Sequence, residues 1–384
     1  MVGSLLYVGT FPRAYHADAE DVARGISVFR LSPGPATDGS TRVQEQEALR
    51  PGWLVRHPAR NVIYAVNEVA AVAGRPGGSV TAYSVDPATG RLAELNRLPT
   101  AASPCHATVD AAGTSLLVTT FHGSTIHVFA LSADGRLGAE TDTVVHTGSS
   151  VHPVRQRTPH PHAVVLDDRS KYALVPDLGT DRVEVYRFDA MRGALDRLPD
   201  AGVSLAPGSG PRHLAFHPNA RWAYVVNEMN ATITALSFDP ATGALNPIQT
   251  IAVLPDDVPG YRSAAEILVD SAGRFVYVTH RSHGSSGPRP EGGEDCIAWF
   301  RIDAADGRLM RSGRVPSGGA IPRAAVFAAQ GAKLLVAHQG DGTIVEFDVD
   351  AVDGALRRSG RVIHTPVPVC LLLAAPGGSP SSRS

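Results

Sequence analysis

Cysteine is nearly absent: Cys105, Cys296 and Cys370 are the only three in 384 residues. Three thiols this far apart cannot form a disulfide framework or a zinc site, which points to a reducing compartment and to small core side chains. An excess of one charge is also missing. Thirty-five Lys and Arg face 37 Asp and Glu, for a formal charge of -2, and no basic block is interleaved with aromatics, so a nucleic-acid surface is excluded. Long apolar runs are missing too. The N-terminal stretch MVGSLLYVGTF lacks a basic n-region, and its apolar run is about half of what a signal or membrane segment needs. Val367–Ala375 also falls short of a span, so the chain is expected to be soluble and cytoplasmic, with no membrane partner. There are 15 histidines but no HExxH, EF-hand loop or paired cysteine, and we therefore expect neither metal nor cofactor.

Turn residues and short alternating runs fill the space. Gly (38) and Pro (29) are scattered through a chain that is 43% apolar, which suits many short strands joined by tight turns. Self-similarity is evident at a period of about fifty residues. Strand-turn-strand units begin at Pro51, Pro104, Pro161, Pro211, Ala264 and Pro322; the clearest copy is Gly210–Glu228, GPRHLAFHPNARWAYVVNE. A third strand follows each unit, and then a Gly-x-Leu turn (Gly90, Gly135, Gly193, Gly243, Gly307, Gly354) leads into a fourth. Four antiparallel strands per repeat is a propeller blade.

Six full repeats leave one strand at the C-terminus, Pro368–Leu373, and three at the N-terminus, in LLYVGTF, GISVFRL and RVQEQEAL. Joined, they make a seventh blade and remove the exposed sheet edges. The expected architecture is all-β: a seven-bladed β-propeller forming one domain over residues 1–375, with a disordered tail at 376–384.

Positions that hold a blade together should look alike in every copy, and positions that do chemistry should differ. The second-strand tyrosines Tyr64, Tyr172, Tyr224 and Tyr277 are assigned to structure. So are the aspartates closing the third strands, Asp86, Asp189, Asp239, Asp303 and Asp348, as turn caps. The Arg212 position instead reads Gly52, Cys105, His162, Arg212, Ala265, Arg323 and Val369 around the ring. The Glu228 position reads Glu68, Phe121, Leu178, Glu228, Arg281, Gln339 and Thr10. Both lie at one end of the hairpins, at the channel mouth, and both are rich in ionisable groups, as a pocket for a polar anionic ligand requires.

Arg212, Arg281 and Arg323 then converge from three consecutive blades, offering planar forks for carboxylate or phosphate and for a developing oxyanion. The plainer alternative is that they only pair with Glu228 or Glu266 at blade junctions. His162, in Thr158-Pro159-His160-Pro161-His162, is a candidate acid or base. Glu68, Gln339, His106 and Glu266 are assigned with Arg281 and Arg323 to substrate binding. Cys105 beside His106 is a poor nucleophile pair, since neighbours on a strand point apart. The insertion 284–295 beside Arg281 is a candidate flap or a bland loop.

Pro159–Asp189, Gly208–Asp239 and Ser263–Ile267 resemble the lactonase family of seven-bladed propellers, which includes 6-phosphogluconolactonases and carboxymuconate lactonizing enzymes. The resemblance runs from Tyr7-Val8-Gly9-Thr10 to Pro368-Val369-Cys370. It implies catalytic roles for His162, Arg212 and Glu228, the positions singled out around the ring, and a further site arginine at Arg281. Departures surround the pocket: Thr119-Thr120-Phe121 stands where the family has Ala-Asn-Tyr, and His280 and His338 stand where it has Asn. The implied activity is metal-independent hydrolysis of a small anionic lactone, 6-phosphoglucono-1,5-lactone first, with Glu228 or His162 activating water. Cyclisation of a carboxylated muconate on the same site and a non-enzymatic ligand- or partner-binding propeller are the alternatives. A monomer or weak homo-oligomer is expected.

Overall fold

The computed structural model describes residues 4–12, 25–32, 39–72, 75–282 and 293–374. The disordered tail expected at 376–384 and most of the 284–295 insertion lie outside these residues. The strands form seven antiparallel blades of four strands, the third carrying one extra short strand, and a two-stranded ribbon, Ala71–Val72 with Arg75–Pro76, is inserted in the first. Numbered from Pro51, the fourth blade is typical: Pro211–Phe216 innermost, then Trp222–Asn227, Thr232–Phe238 and Leu245–Ala252. The seventh blade closes as expected. The strand Pro368–Ala374 pairs with Leu5–Thr10, followed outward by Gly25–Leu31 and Ser40–Glu47.

The apolar core consists of layers between blades. Tyr224, Val226 and Ile233 of the fourth blade pack on Ile267, Val276 and Phe300 of the fifth, and comparable clusters join every other neighbouring pair around the ring. Face-to-face stacking explains why second strands such as Val62–Asn67 and Leu5–Thr10 are buried along their whole length. Period-two alternation survives mainly in outer strands such as Leu309–Pro316. All three cysteines are free and buried; Cys296 and Cys370 belong to these layers.

The repeat's conserved-looking positions turn out to be contacts between neighbours. Tyr7, Tyr64, Tyr224 and Tyr277 donate to the carbonyls of Gly90, Gly135, Gly307 and Gly354, each in the next blade's Gly-x-Leu turn, at 2.8–3.0 Å. Tyr172 lies two residues earlier in its strand and reaches Ala241 O instead. The Leu of the same turn is gripped through its backbone by an outer-strand side chain of the preceding blade. Gln44 holds Leu92, Asn96 holds Leu137, and Gln249 holds Leu309, each through both amide atoms. His57 and His217 accept turn amides at Nδ1, which places the proton on Nε2 for the next blade's Gly113 and Gly273 carbonyls.

Asp86, Asp189, Asp239 and Asp303 cap their turns. Asp348 does not. It pairs with Lys333 across the strands, and Asp350 caps that turn by accepting from Val352 N. The sixth blade's third strand, Thr343–Val349, has the same seven residues as Thr232–Phe238, and Asp350 precedes Gly354 by the spacing that separates Asp239 from Gly243; Asp348 is an interior residue of the strand.

Removing one tyrosine hydroxyl tests this inter-blade glue. Tyr224→Phe leaves the buried Gly307 carbonyl without its donor and should lower unfolding stability by about 1–3 kcal/mol, read from urea denaturation.

Candidate active site at the channel mouth

The inner strand of every blade carries one extra residue at the same place. Pro51 pairs with Asn67 and Trp53 with Val66, so Gly52 is left over; Cys105, Arg212 and Arg323 are left over in the same way. In the fifth blade the three steps from Ala264 to Ile267 face two on the partner strand, and in the seventh the shift falls at Val369. In the third, Pro161 bridges Asp177, and His162 N donates to Pro176 O before regular pairing resumes at Val165. These are β-bulges, which re-aim a side chain out of the ladder. The position that varied most around the ring is therefore the bulge itself. The residue before the opening proline is twisted as well: Arg50, Ser103, Gly210, Ile321 and Val367 all have φ between 39° and 64°. For β-branched Ile321 and Val367 this is strained backbone, a kind concentrated at ligand sites.

The bulge aims Arg212 at the end of the neighbouring strand, where Glu228 follows Asn227. Arg212 Nε donates to Glu228 Oε2 at 3.1 Å. The same oxygen is 3.3 Å from Arg281 Nη2, and Oε1 accepts from Arg155 Nη2 at 2.7 Å. Burial alone would raise the Glu228 pKa, but Arg281, Arg155 and Arg212 outweigh it and hold the carboxyl well below its usual range. Arg212 is buried, and burial with Arg323 close by pushes its pKa down to about 10, leaving it charged at neutral pH. Across the mouth Arg323 lies 3.7 Å from Glu68 Oε2 and over the Phe11 ring.

A second row lies one residue beyond the bulges. His213 stands 5.6 Å from His106 and 5.4 Å from His162, centroid to centroid and edge-on, and Trp53 lies 4.3 Å from His106 with the rings tilted by 31°. His213 Nδ1 is 2.9 Å from Glu266 Oε1. Burial pushes the Glu266 carboxyl up to about 7 and His213 well below 6.5, so this contact joins two groups that burial drives toward their neutral forms. His162 is buried and, chiefly through that burial and then Arg212, its pKa also falls well below 6.5. Its ring meets Phe121 edge-on at 5.4 Å, and its Nδ1 has no protein partner among the described residues. Burial raises the Cys105 thiol to about 12, which makes it inert as a nucleophile.

The structure thus brings together His162, Arg212, Glu228, Arg281, Glu266 and His106, with Arg323 and Glu68 as a second ion pair. Gln339 is buried and tied through its backbone to Ile321 O, with its side-chain oxygen unpartnered among the described residues. Arg212 and Arg281 do pair with Glu228, as the plainer reading supposed; Arg323 pairs with Glu68, and Glu266 with His213. Two site residues were missed. His213 is found by carrying the ring comparison one residue further, where Trp53, His106, Ala163, His213, Glu266, Ala324 and Cys370 are as unlike as the bulge residues. Arg155 comes from the loop after the strand Leu137–Val145, and its only sequence signal is the extra length between the units at Pro104 and Pro161.

A family model described as Lactonase, 7-bladed beta-propeller, matches residues 5–373. The chain belongs to this lactonase family. Among curated relatives, the 6-phosphogluconolactonase of Bacillus subtilis (strain 168) is 32% identical over 366 residues, covering 95% of this chain and 97% of that protein. The 6-phosphogluconolactonase of Serratia proteamaculans (strain 568) is 29% identical over 69% of this chain and 73% of its own. Among solved structures, the Pseudomonas aeruginosa periplasmic gluconolactonase PpgL superposes with a TM-score of 0.85 at 28% identity, covering 97% of this chain and 99% of that one. This lactonase thus shares 95–97% of its length with proteins named as sugar lactonases.

Glu228 is the anion of the site, and its removal tests that role. Glu228→Gln leaves three arginines facing each other and should lose about 3–5 kcal/mol of stability at pH 7. The folded pKa is depressed, so the carboxylate's contribution is complete above about 4.5 and is lost as pH falls through the folded value. The stability gap between wild type and variant should therefore narrow below pH 4.5 in urea titrations.

Proposed function

We propose that this lactonase hydrolyses 6-phosphoglucono-1,5-lactone to 6-phosphogluconate. One observation supports the choice of an anionic lactone: among the described residues, Arg155, Arg212, Arg281 and Arg323 have only Glu228 and Glu68 as ion-pair partners. Buried positive charge in excess is costly unless a bound anion offsets it. The family relationship supports the reaction type.

In this reading His162 is the base. Glu228 has both oxygens committed to arginines, which makes it a weak proton acceptor, whereas His162 is neutral with a ring nitrogen that has no partner among the described residues. Water gives a proton to His162 as its oxygen bonds to the lactone carbonyl carbon, and negative charge develops on the carbonyl oxygen. Arg212 donates to that oxygen. The carbon–ring-oxygen bond then breaks, the protonated His162 returns its proton to the leaving oxygen, and the new carboxylic acid ionises. No step uses a metal or cofactor. Arg281 and Arg323 hold the phosphate, joined by Arg155, whose side chain is about a third exposed at the rim.

We also place the protein in the cytoplasm, on its three reduced, buried thiols; among the described residues no helix is long and apolar enough to cross a membrane. A monomer or weak homo-oligomer fits the scatter of its exposed large apolar side chains.

On 6-phosphogluconolactone, Arg212→Ala should lower kcat by about 10²–10³; an unchanged rate removes Arg212 from the chemistry. Arg155→Met should raise KM for the phosphorylated lactone about tenfold while leaving KM for glucono-1,5-lactone nearly constant. An equal rise for both would mean that Arg155 serves only Glu228.

A further inference from the structure

Neighbouring residues of a strand point to opposite faces, yet Arg212 and His213 touch, with Arg212 Nη1 2.8 Å from His213 Nε2. The bulge permits this by taking Arg212 out of the ladder while His213 pairs with Val226. Proton accounting then fixes the imidazole. A guanidinium has five N–H donors and no acceptor, so Nε2 must accept, and the ring proton sits on Nδ1. That proton goes to Glu266 Oε1 at 2.9 Å, the oxygen that also receives Ile267 N at 3.2 Å. An imidazolium would turn N–H against N–H at Nε2.

The same accounting applies to Arg212. Nε is used by Glu228, and the two protons of Nη1 go to His213 Nε2 and to Ala265 O at 2.8 Å. Nη2 alone has no partner among the described residues, so it is the group left for a substrate oxygen. Glu228 is shared with Arg155 and Arg281 and restrains only the Nε edge. The rotation that would carry Nη2 away is opposed by His213 and Ala265 O. His106 and His162 lie edge-on to the His213 ring, with Trp53 at 5.3 Å, and restrict its rotation.

We propose that His213 is a positioning residue that holds the Arg212 guanidinium with Nη2 toward the reacting oxygen, and that Glu266 acts through it by fixing the Nδ1–H tautomer. Glu266, expected from sequence to bind substrate, thus serves the site from behind. The proposal rests on the lactonase reading only where turnover is measured.

Two pairs of variants separate positioning from packing. In His213→Gln the amide oxygen can reach the place of Nε2 and accept from Arg212; in His213→Asn the amide reaches only the place of Nδ1. His213→Asn should lower kcat for 6-phosphogluconolactone about 100-fold with KM within about threefold, and His213→Gln should keep at least tenfold more kcat than His213→Asn. Glu266→Gln, which still offers an acceptor, should likewise keep at least tenfold more kcat than Glu266→Ala. Equal losses within either pair, at equal thermal stability, would overturn the proposal, because Glu266 would then be using its own charge or the site would only be losing packing. A readout independent of substrate is the ¹⁵N-histidine spectrum of the full-length protein, with His213 assigned by its absence in His213→Gln. A neutral Nδ1–H ring from pH 6 to 9 is expected; an Nε2–H ring, or titration near pH 7, would refute the proposal even if no lactone were turned over.

Discussion

Everything in this molecule depends on closing a ring. The pairing of Pro368–Ala374 with Leu5–Thr10 joins the last strand to the first, and it completes both the sixth-to-seventh and seventh-to-first apolar layers. A single blade, with both faces apolar and no core of its own, has nothing to pack against. Stability is therefore collective. The tyrosine hydroxyls and outer-strand amides that grip the next blade's Gly-x-Leu turn add direction to this packing, since each reads a backbone position of one neighbour.

The ring constraint also makes the site. Seven inner strands must approach one axis and then turn away, and in each the ladder yields by one residue at the same level. What sits on that residue is free of the pairing rules that shape the rest of the blade. Arg212 and Arg323 sit on such bulges, and they meet Glu228, Glu68 and Arg281 from the ends of the second strands and Arg155 from a loop. In this low-dielectric mouth the positive charge is held in place by Glu228 and Glu68.

The sequence was legible wherever a signal repeats. Blade number, strand order, the shared blade and the proximity of Arg212 to Glu228 all follow from aligned copies of one unit. Legibility failed where geometry departs from the repeat. His213 was hidden because alternation sends it away from Arg212, and only the bulge brings them together. Arg155 was hidden because its loop has no counterpart in other blades. Asp348 was misassigned for another reason: it still lies inside the strand Thr343–Val349, and the repeat's own spacing puts the cap at Asp350. The choice between His162 and Glu228 as base was left open by spacing alone, since it depends on how many cations surround each group in three dimensions.

The shared blade has a temporal consequence. During synthesis the chain emerges with Leu5–Thr10 first, and that strand must wait through six blades for its inner partner. Earlier blades can stack as they appear, but the circle stays open until Pro368–Ala374 has left the ribosome. A nascent chain therefore carries every arginine of the site well before it has a ring to set them in, and the complete channel mouth arrives in one step with the final strand.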